Sequence, residues 1–157
     1  MQEKEIVLKY EVVSFSELEQ NLQILVNKAK EQTAKSYSPY SKFSVGAAVL
    51  LENGEIVCGN NQENIAYPSG LCAERVAMFY ANSQYPDIKP KVIAIAAKND
   101  TGFLSEPICP CGACRQVLLE TELRYKIPLK IILYGENKII LITNVEKLLP
   151  FAFSQMD

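Results

Sequence analysis

The chain has 157 residues, 48% of them hydrophobic and 22% charged, which suits one domain with a sizeable core. Its net charge of −2 gives no electrostatic reason for a polynucleotide partner, and the complete lack of His excludes Cys-His and Ser-His-Asp mechanisms. Five Cys is an odd number, which argues against a disulfide scaffold and for a reducing, cytoplasmic setting.

Met1-Gln2-Glu3-Lys4-Glu5 is charged, with no secretory pattern, and no stretch approaches membrane-spanning length, so no membrane role is expected. Ile6, Leu8, Tyr10 and Val12 alternate with Lys9 and Glu11, the pattern of a half-buried strand in an N-terminal extension over residues 1–15. A single domain is expected over 16–157. Ser16 with Glu19 three residues on reads as a capping box, opening a helix whose one face carries Leu18, Leu22, Leu25, Val26 and Ala29. That helix should fade between Ser36 and Pro39, because the residue before a proline avoids helical dihedrals.

Phe43 to Leu51 alternates as a strand, Asn53-Gly54 signals a hairpin turn, and Ile56 to Gly59 returns as its partner. The polar run Asn60–Asn64 is a loop, with solvation and substrate binding as rival roles. Cys72 to Ala81 reads as a helix with Ala73, Val76, Ala77 and Tyr80 on its core face. Val92 to Ala97 is a continuous apolar run, as expected for a strand covered on both faces. Cys111 and Cys114 open another helix, in which Cys114, Val117 and Leu118 share a face. Leu129–Tyr134 and Lys138–Ile142 are strands around the turn Gly135-Glu136-Asn137. Val145–Leu149 reads as a short helix capped by Asn144. Helices alternating with strands predict a three-layer α/β/α sandwich with a mixed sheet of about five strands, plus room for an N-terminal one.

Two stretches carry the chemistry. Cys111 and Cys114 form a Cys-x-x-Cys pair, a spacing that lets two thiolates reach one metal, and Cys72 offers a third. Three ligands leave one tetrahedral position for water, the pattern of a catalytic zinc. Without His, an all-thiolate site is the natural choice. Both cysteine groups fall at predicted helix N-termini, where the helix dipole favours thiolate. Three thiolates around Zn²⁺ leave a formal charge of −1, which opposes ionisation of water at the metal and calls for a nearby cation. Arg75 and Arg115 adjoin the motifs. Arg75 is the preferred donor to a ligand sulfur, with an ordinary surface arginine as the alternative. Cys58 lies in a strand as a small hydrophobe, and Cys109 makes poor chelate geometry beside Cys-x-x-Cys, so both are left out of the ligand set. The rival reading is a structural zinc module in which one of them closes a four-cysteine site.

Cys-x-Glu followed by Pro-Cys-x-x-Cys resembles the signature of zinc nucleobase deaminases. From about Ser36 to Phe153 the chain resembles the cytidine deaminases, specifically the small homotetrameric type. The resemblance rests on Tyr37–Ala48, Asn61–Asn64, Tyr67–Arg75, Pro110–Gln116 and Leu148–Phe153, five blocks in register. It implies zinc-dependent hydrolysis of cytidine and 2′-deoxycytidine to uridine and 2′-deoxyuridine in pyrimidine salvage, with one zinc per subunit. Glu74 would shuttle protons from water to the pyrimidine ring and then to the departing amine. Asn61 and Glu63 resemble the pair that holds the ribose 3′-hydroxyl, and Phe43 the aromatic that packs on the base. The backbone around Ala73 would read the base carbonyl. Tyr67 and Phe153 resemble residues that complete a neighbouring subunit's pocket. Gln62, Cys109 and the longer N-terminal segment depart from the family pattern without touching the ligands or Glu74. A deaminase of a nucleoside antibiotic such as blasticidin S shares the metal motifs, but the Asn61–Glu63 block and Phe43 favour cytidine.

Overall fold

The alternation over Phe43–Leu51 does form a strand, but both of its faces are covered. Ala47, Val49 and Leu51 enter one apolar cluster, while Ala48 and Leu50 enter another. In a computed structural model, which describes residues 1–154, the regular elements are β1 (Glu11–Val13), α1 (Gln20–Gln32), β2 (Ser44–Leu51) and β3 (Ile56–Asn60). They continue with α2 (Ala73–Gln84), β4 (Pro90–Asn99), β5 (Gly102–Phe103), α3 (Gly112–Tyr125), β6 (Lys130–Tyr134) and β7 (Ile139–Ile142).

The strands form one mixed sheet of seven, in the order β1-β7-β6-β4-β2-β3, with β5 added on the end of β4. β4 and β6 run parallel, with Ile93 opposite Ile131 and Ile95 opposite Leu133, because α3 carries the chain back across the sheet between them. The other pairs are antiparallel. On one face, Leu18, Leu22, Leu25, Val26 and Ala29 pack on Ala48, Ala94, Ala96 and Ile132, so the helical stripe read from the sequence is the stripe buried. Gly46 permits this approach: a Cβ there would stand 2.0 Å from the Ala29 carbonyl oxygen. On the other face, Ala73, Ala77, Met78 and Leu118 pack on Ala47, Val49, Ile93, Ile95 and Ile131. The result is the three-layer α/β/α sandwich, with more strands than the five expected.

Four local expectations change. The N-terminal strand is confined to Glu11–Val13, and Ile6 is 57% exposed. β1 pairs Glu11 with Leu141, and β7 ends at Ile142, so residues before Tyr10 have no strand residue opposite them. The capping box forms at Ser14 and Glu17, where the Ser14 N–H donates to Glu17 Oε2 at 2.7 Å, rather than at Ser16 and Glu19. It opens a single 3₁₀ turn, and α1 starts at Gln20 without a side-chain cap. The buried face of α2 is Ala73, Glu74, Ala77, Met78 and Ala81, and Tyr80 is 55% exposed. The last helix is one 3₁₀ turn over Glu146–Leu148. Asn144 does not cap it, and the Val145 N–H donates to Glu122 Oε2 at 2.9 Å.

Candidate metal centre and its cleft

The two cysteine groups are brought together by the ends of two helices. Cys72 is the N-cap of α2, Cys111 is the N-cap of α3, and Cys114 lies one turn inside α3. Such positions face unpaired backbone N–H groups and the positive end of the helix dipole. The three sulfurs lie within 4.8 Å of one another, and Cys72 and Cys111 are 3.9 Å apart. Two sulfurs each about 2.3 Å from one tetrahedral zinc would be about 3.8 Å apart, so this donor set fits the ion. Among the described residues, neither Cys58 nor Cys109 joins this cluster. Cys58 faces the α1 layer, whereas its neighbour Val57 faces the α2 layer, so Cys58 points away from the site. Its burial pushes the thiol pKa up, as suits a small apolar packing residue.

The surroundings tune the sulfurs. A hydrogen bond from the Cys114 thiol, helped by Arg75 and Cys111 and opposed by burial, lowers the Cys72 pKa to about 5. The same interaction with Cys72, together with burial, keeps the proton on Cys114 in the absence of a metal. Arg75 Nη2 donates to Cys72 Sγ at 3.4 Å, which is where a compensating cation was expected. Its Nε is buried with no protein partner. Arg115 has a different role: Nε donates to the Pro110 carbonyl at 2.9 Å and Nη1 to the Leu148 carbonyl at 3.0 Å. Glu74, in the first turn of α2, is 4% exposed. Burial, reinforced by the charge on Cys72, raises its pKa, while its own backbone N–H and the Cys114 thiol act in the opposite sense. It is thus a buried carboxyl beside the sulfur triad, with its neutral form favoured more than in a free glutamate.

A cleft of about 580 Å³ opens beside Cys72 and Arg75, walled by Tyr40, Ser41, Asn61, Glu63 and Tyr67 among others. Asn61 Oδ1 accepts the Val45 N–H at 2.8 Å and the Ser36 hydroxyl, and its Nδ2 donates to the Phe43 carbonyl at 2.9 Å. One amide N–H of Asn61 is left over from this set. Glu63 Oε2 accepts the Tyr40 N–H at 2.9 Å and the Ser41 N–H at 3.3 Å, and Oε1 accepts the Ser41 hydroxyl. These bonds, the Ser41 hydroxyl first among them, hold the Glu63 carboxyl below its ordinary pKa.

The other expected site residues are placed less uniformly. Ala73 is fully buried at the first position of α2, directly between Cys72 and Glu74. Tyr67 walls the cleft, 78% exposed, with its ring edge-on to Tyr40 at 6.2 Å. The Phe43 ring packs on the edge of the α2-side core and is not among the cleft-lining residues. Phe153 stands apart from the cleft and is 68% exposed, its carbonyl accepting from Gln116 Nε2 at 2.7 Å. Sequence reasoning had given no role to Ser36, Ser41 or Gln116, although the matched blocks contain Ser41 and Gln116 and Ser36 directly precedes the first of them.

Fold and site together define an α/β/α protein in which three cysteines from two helix ends are placed to hold one zinc ion. Residues 19–128 match the model of the cytidine and deoxycytidylate deaminase zinc-binding region. The cytidine deaminase of Sporosarcina psychrophila is 43% identical over 133 residues, covering 85% of this chain and 91% of that one. The cytidine deaminase of Halalkalibacterium halodurans is 39% identical over 135 residues, covering 86% and 96%. The crystal structure of the cytidine deaminase from Burkholderia pseudomallei superimposes with a TM-score of 0.70 at 36% identity, covering 83% of this chain and 97% of that chain. The chain belongs to the cytidine and deoxycytidylate deaminase family.

Proposed function

We propose that this protein catalyses the zinc-dependent hydrolytic deamination of cytidine and 2′-deoxycytidine to uridine and 2′-deoxyuridine, releasing ammonia. The observation that carries this reading is a buried Glu74 beside the Cys72–Cys111–Cys114 triad, at a cleft lined by Asn61 and Glu63. Cys72, Cys111 and Cys114 would hold the zinc, which when bound would supply Lewis acidity to make water nucleophilic at neutral pH.

The chain's own groups do the rest. Glu74, as the carboxylate, takes one proton from the attacking water and delivers it to the ring nitrogen as the water oxygen bonds to C4. It then takes the second proton from the new C4 hydroxyl and passes it to the amine, which leaves as ammonia when the C4–N bond breaks. Its raised pKa suits a group that must both accept and donate. The spare Asn61 N–H can donate to a ribose hydroxyl, and the remaining acceptor position of Glu63 can take that hydroxyl's proton. The N–H of Ala73, one of the unpaired donors that open α2, is offered to the base carbonyl oxygen. Phe43, whose ring rests on the edge of the α2-side core outside the cleft lining, is assigned to pack on the base by the resemblance of its sequence block alone. Tyr67 and Phe153 complete the pocket of a neighbouring copy in a homotetramer, a reading supported by their large exposure within one chain. Residues 16–157 are taken as the catalytic domain and 1–15 as an extension. The last three residues of that domain lie outside the described ones. A cytoplasmic role in pyrimidine salvage, with no nucleic-acid partner, fits the net charge of −2 and the reduced cysteines. No helix among the described residues is long and apolar enough to cross a membrane.

The deciding experiment follows the loss of nucleoside absorbance with the purified zinc-loaded protein. Cytidine and 2′-deoxycytidine are expected to turn over, with cytosine, adenosine and blasticidin S far slower. No turnover of either pyrimidine nucleoside, or a preference for blasticidin S, would defeat the proposal.

A further inference from the structure

We infer that Ser41 is a positioning residue for nucleoside binding: its hydroxyl ties the Glu63 carboxylate to the Phe43 backbone and so aims Glu63 at the sugar. This rests on the reading of Glu63 as a ribose ligand.

The argument begins with the loop before β2. Lys42 has φ 57°, a left-handed conformation that is unfavourable for a non-glycine residue. Something must hold the chain there. The Lys42 N–H donates to the Ser38 carbonyl at 3.1 Å, and the Ser41 hydroxyl closes the turn from the other side, accepting the Phe43 N–H at 3.1 Å. The proton of that hydroxyl goes to Glu63 Oε1. A serine hydroxyl has one donor and two acceptor positions, and this arrangement uses the donor for the carboxylate and one acceptor for the Phe43 amide.

An ionised carboxylate has about four acceptor positions. On Glu63, two are taken on Oε2 by the Tyr40 and Ser41 N–H groups and one on Oε1 by the Ser41 hydroxyl. The fourth, on Oε1, is the position that remains for an incoming hydroxyl. Ser41 therefore orients the oxygen that would meet the sugar. Asn61 is tied to the same loop, since its Nδ2 donates to the Phe43 carbonyl. Donor and acceptor for one sugar hydroxyl are thus both referenced to Phe43, the acceptor through Ser41. The hydroxyl lies in the cleft wall and outside the metal triad, so its loss should affect binding rather than metal loading or proton transfer.

The test compares Ser41→Ala, Ser41→Thr, Glu63→Ala and the Ser41→Ala/Glu63→Ala double variant as zinc-loaded proteins, with cytidine and 3′-deoxycytidine as substrates. Ser41→Ala is expected to raise KM for cytidine about tenfold, with kcat and zinc content near wild type, and to shrink the preference for cytidine over 3′-deoxycytidine. Ser41→Thr, which keeps the hydroxyl, should restore most of that preference. In the Glu63→Ala background, adding Ser41→Ala should cost little more, because the two act through one contact. If Glu63→Ala leaves KM and the 3′-preference unchanged, the ribose reading of Glu63 fails. If Glu63→Ala removes the preference but Ser41→Ala does not, or if the two losses simply add, the role of Ser41 is overturned alone. A Ser41→Ala protein that loses stability while its KM and 3′-preference stay at wild-type values likewise refutes the positioning role.

Discussion

Glu74 shows how much one residue's setting decides. Its carboxyl is buried, its pKa is raised chiefly by that burial, and it stands next in the chain to Ala73 and Arg75 at the start of α2. Glu74→Gln keeps shape and volume but removes the exchangeable proton. Turnover of cytidine should fall at least about 10²–10⁴-fold, with zinc content and melting temperature near wild type. A variant with wild-type kcat would remove Glu74 from the mechanism. The residue's proximity to Cys72 was readable from the sequence, because two positions in one helical turn cannot lie far apart. Its burial was not, since periodicity places charged side chains outward by default. The Arg75–Cys72 contact was foreseen on charge balance alone. The bonds that Ser41 makes were not, because they join residues 22 positions apart in the chain.

At the scale of elements, α2 is placed by its contact with β3. A Cβ on Gly59 would lie 2.5 Å from the Ala77 nitrogen and 2.8 Å from the Ala73 carbonyl oxygen, both main-chain atoms that cannot swing aside. Gly59→Ala should therefore destabilise the fold by about 1–3 kcal/mol, with the melting temperature falling about 2–4 °C for each kcal/mol. Activity should fall with it, because Ala73 lies between Cys72 and Glu74. A fully stable and active Gly59→Ala protein would show that the helix has room to retreat. The same contact explains the turned face of α2. The set Ala73, Val76, Ala77 and Tyr80 and the set Ala73, Ala77, Met78 and Ala81 both satisfy helical spacing, and hydrophobicity favours neither clearly. Small residues at a glycine-backed contact win, and Tyr80 turns outward. The displaced capping box has a similar cause. Ser14–Glu17 and Ser16–Glu19 both have the required spacing, and only the first makes the bonds once Leu18 is drawn into the α1-side core.

For the whole molecule, a zinc ion held by Cys72, Cys111 and Cys114 would act as a crosslink. It would tie α2 to α3 through residues 39 apart in the chain, so binding to the folded state should stabilise the fold. Zinc at a hundredfold excess over its dissociation constant would contribute about 2.7 kcal/mol. Removing it with a chelator should lower the melting temperature and abolish activity together, and added zinc should restore both at one ion per chain. An unchanged melting temperature, or a stoichiometry other than one, would contradict the three-thiolate centre. The N-terminal arm belongs to this scale as well. Its alternation promised a long strand, but β7 is only four residues long and only Glu11–Val13 pair with it.

The sequence by itself determined what depends on near neighbours and on composition. The covered strands, the α1 stripe, the Cys-x-x-Cys chelate, the all-thiolate ligand set and the need for a cation beside it all follow from local spacing or from the missing His. Tertiary structure decided what depends on residues distant in the chain meeting at fixed geometry. It selected the α2 face against Gly59, confined β1 to three residues on the short β7, turned Cys58 away from the triad, and drew Ser41, Glu63, Asn61 and Phe43 into one network. The physical reason is the same in each case: local propensity leaves several conformations close in energy, and close packing together with the pairing of buried polar groups selects one.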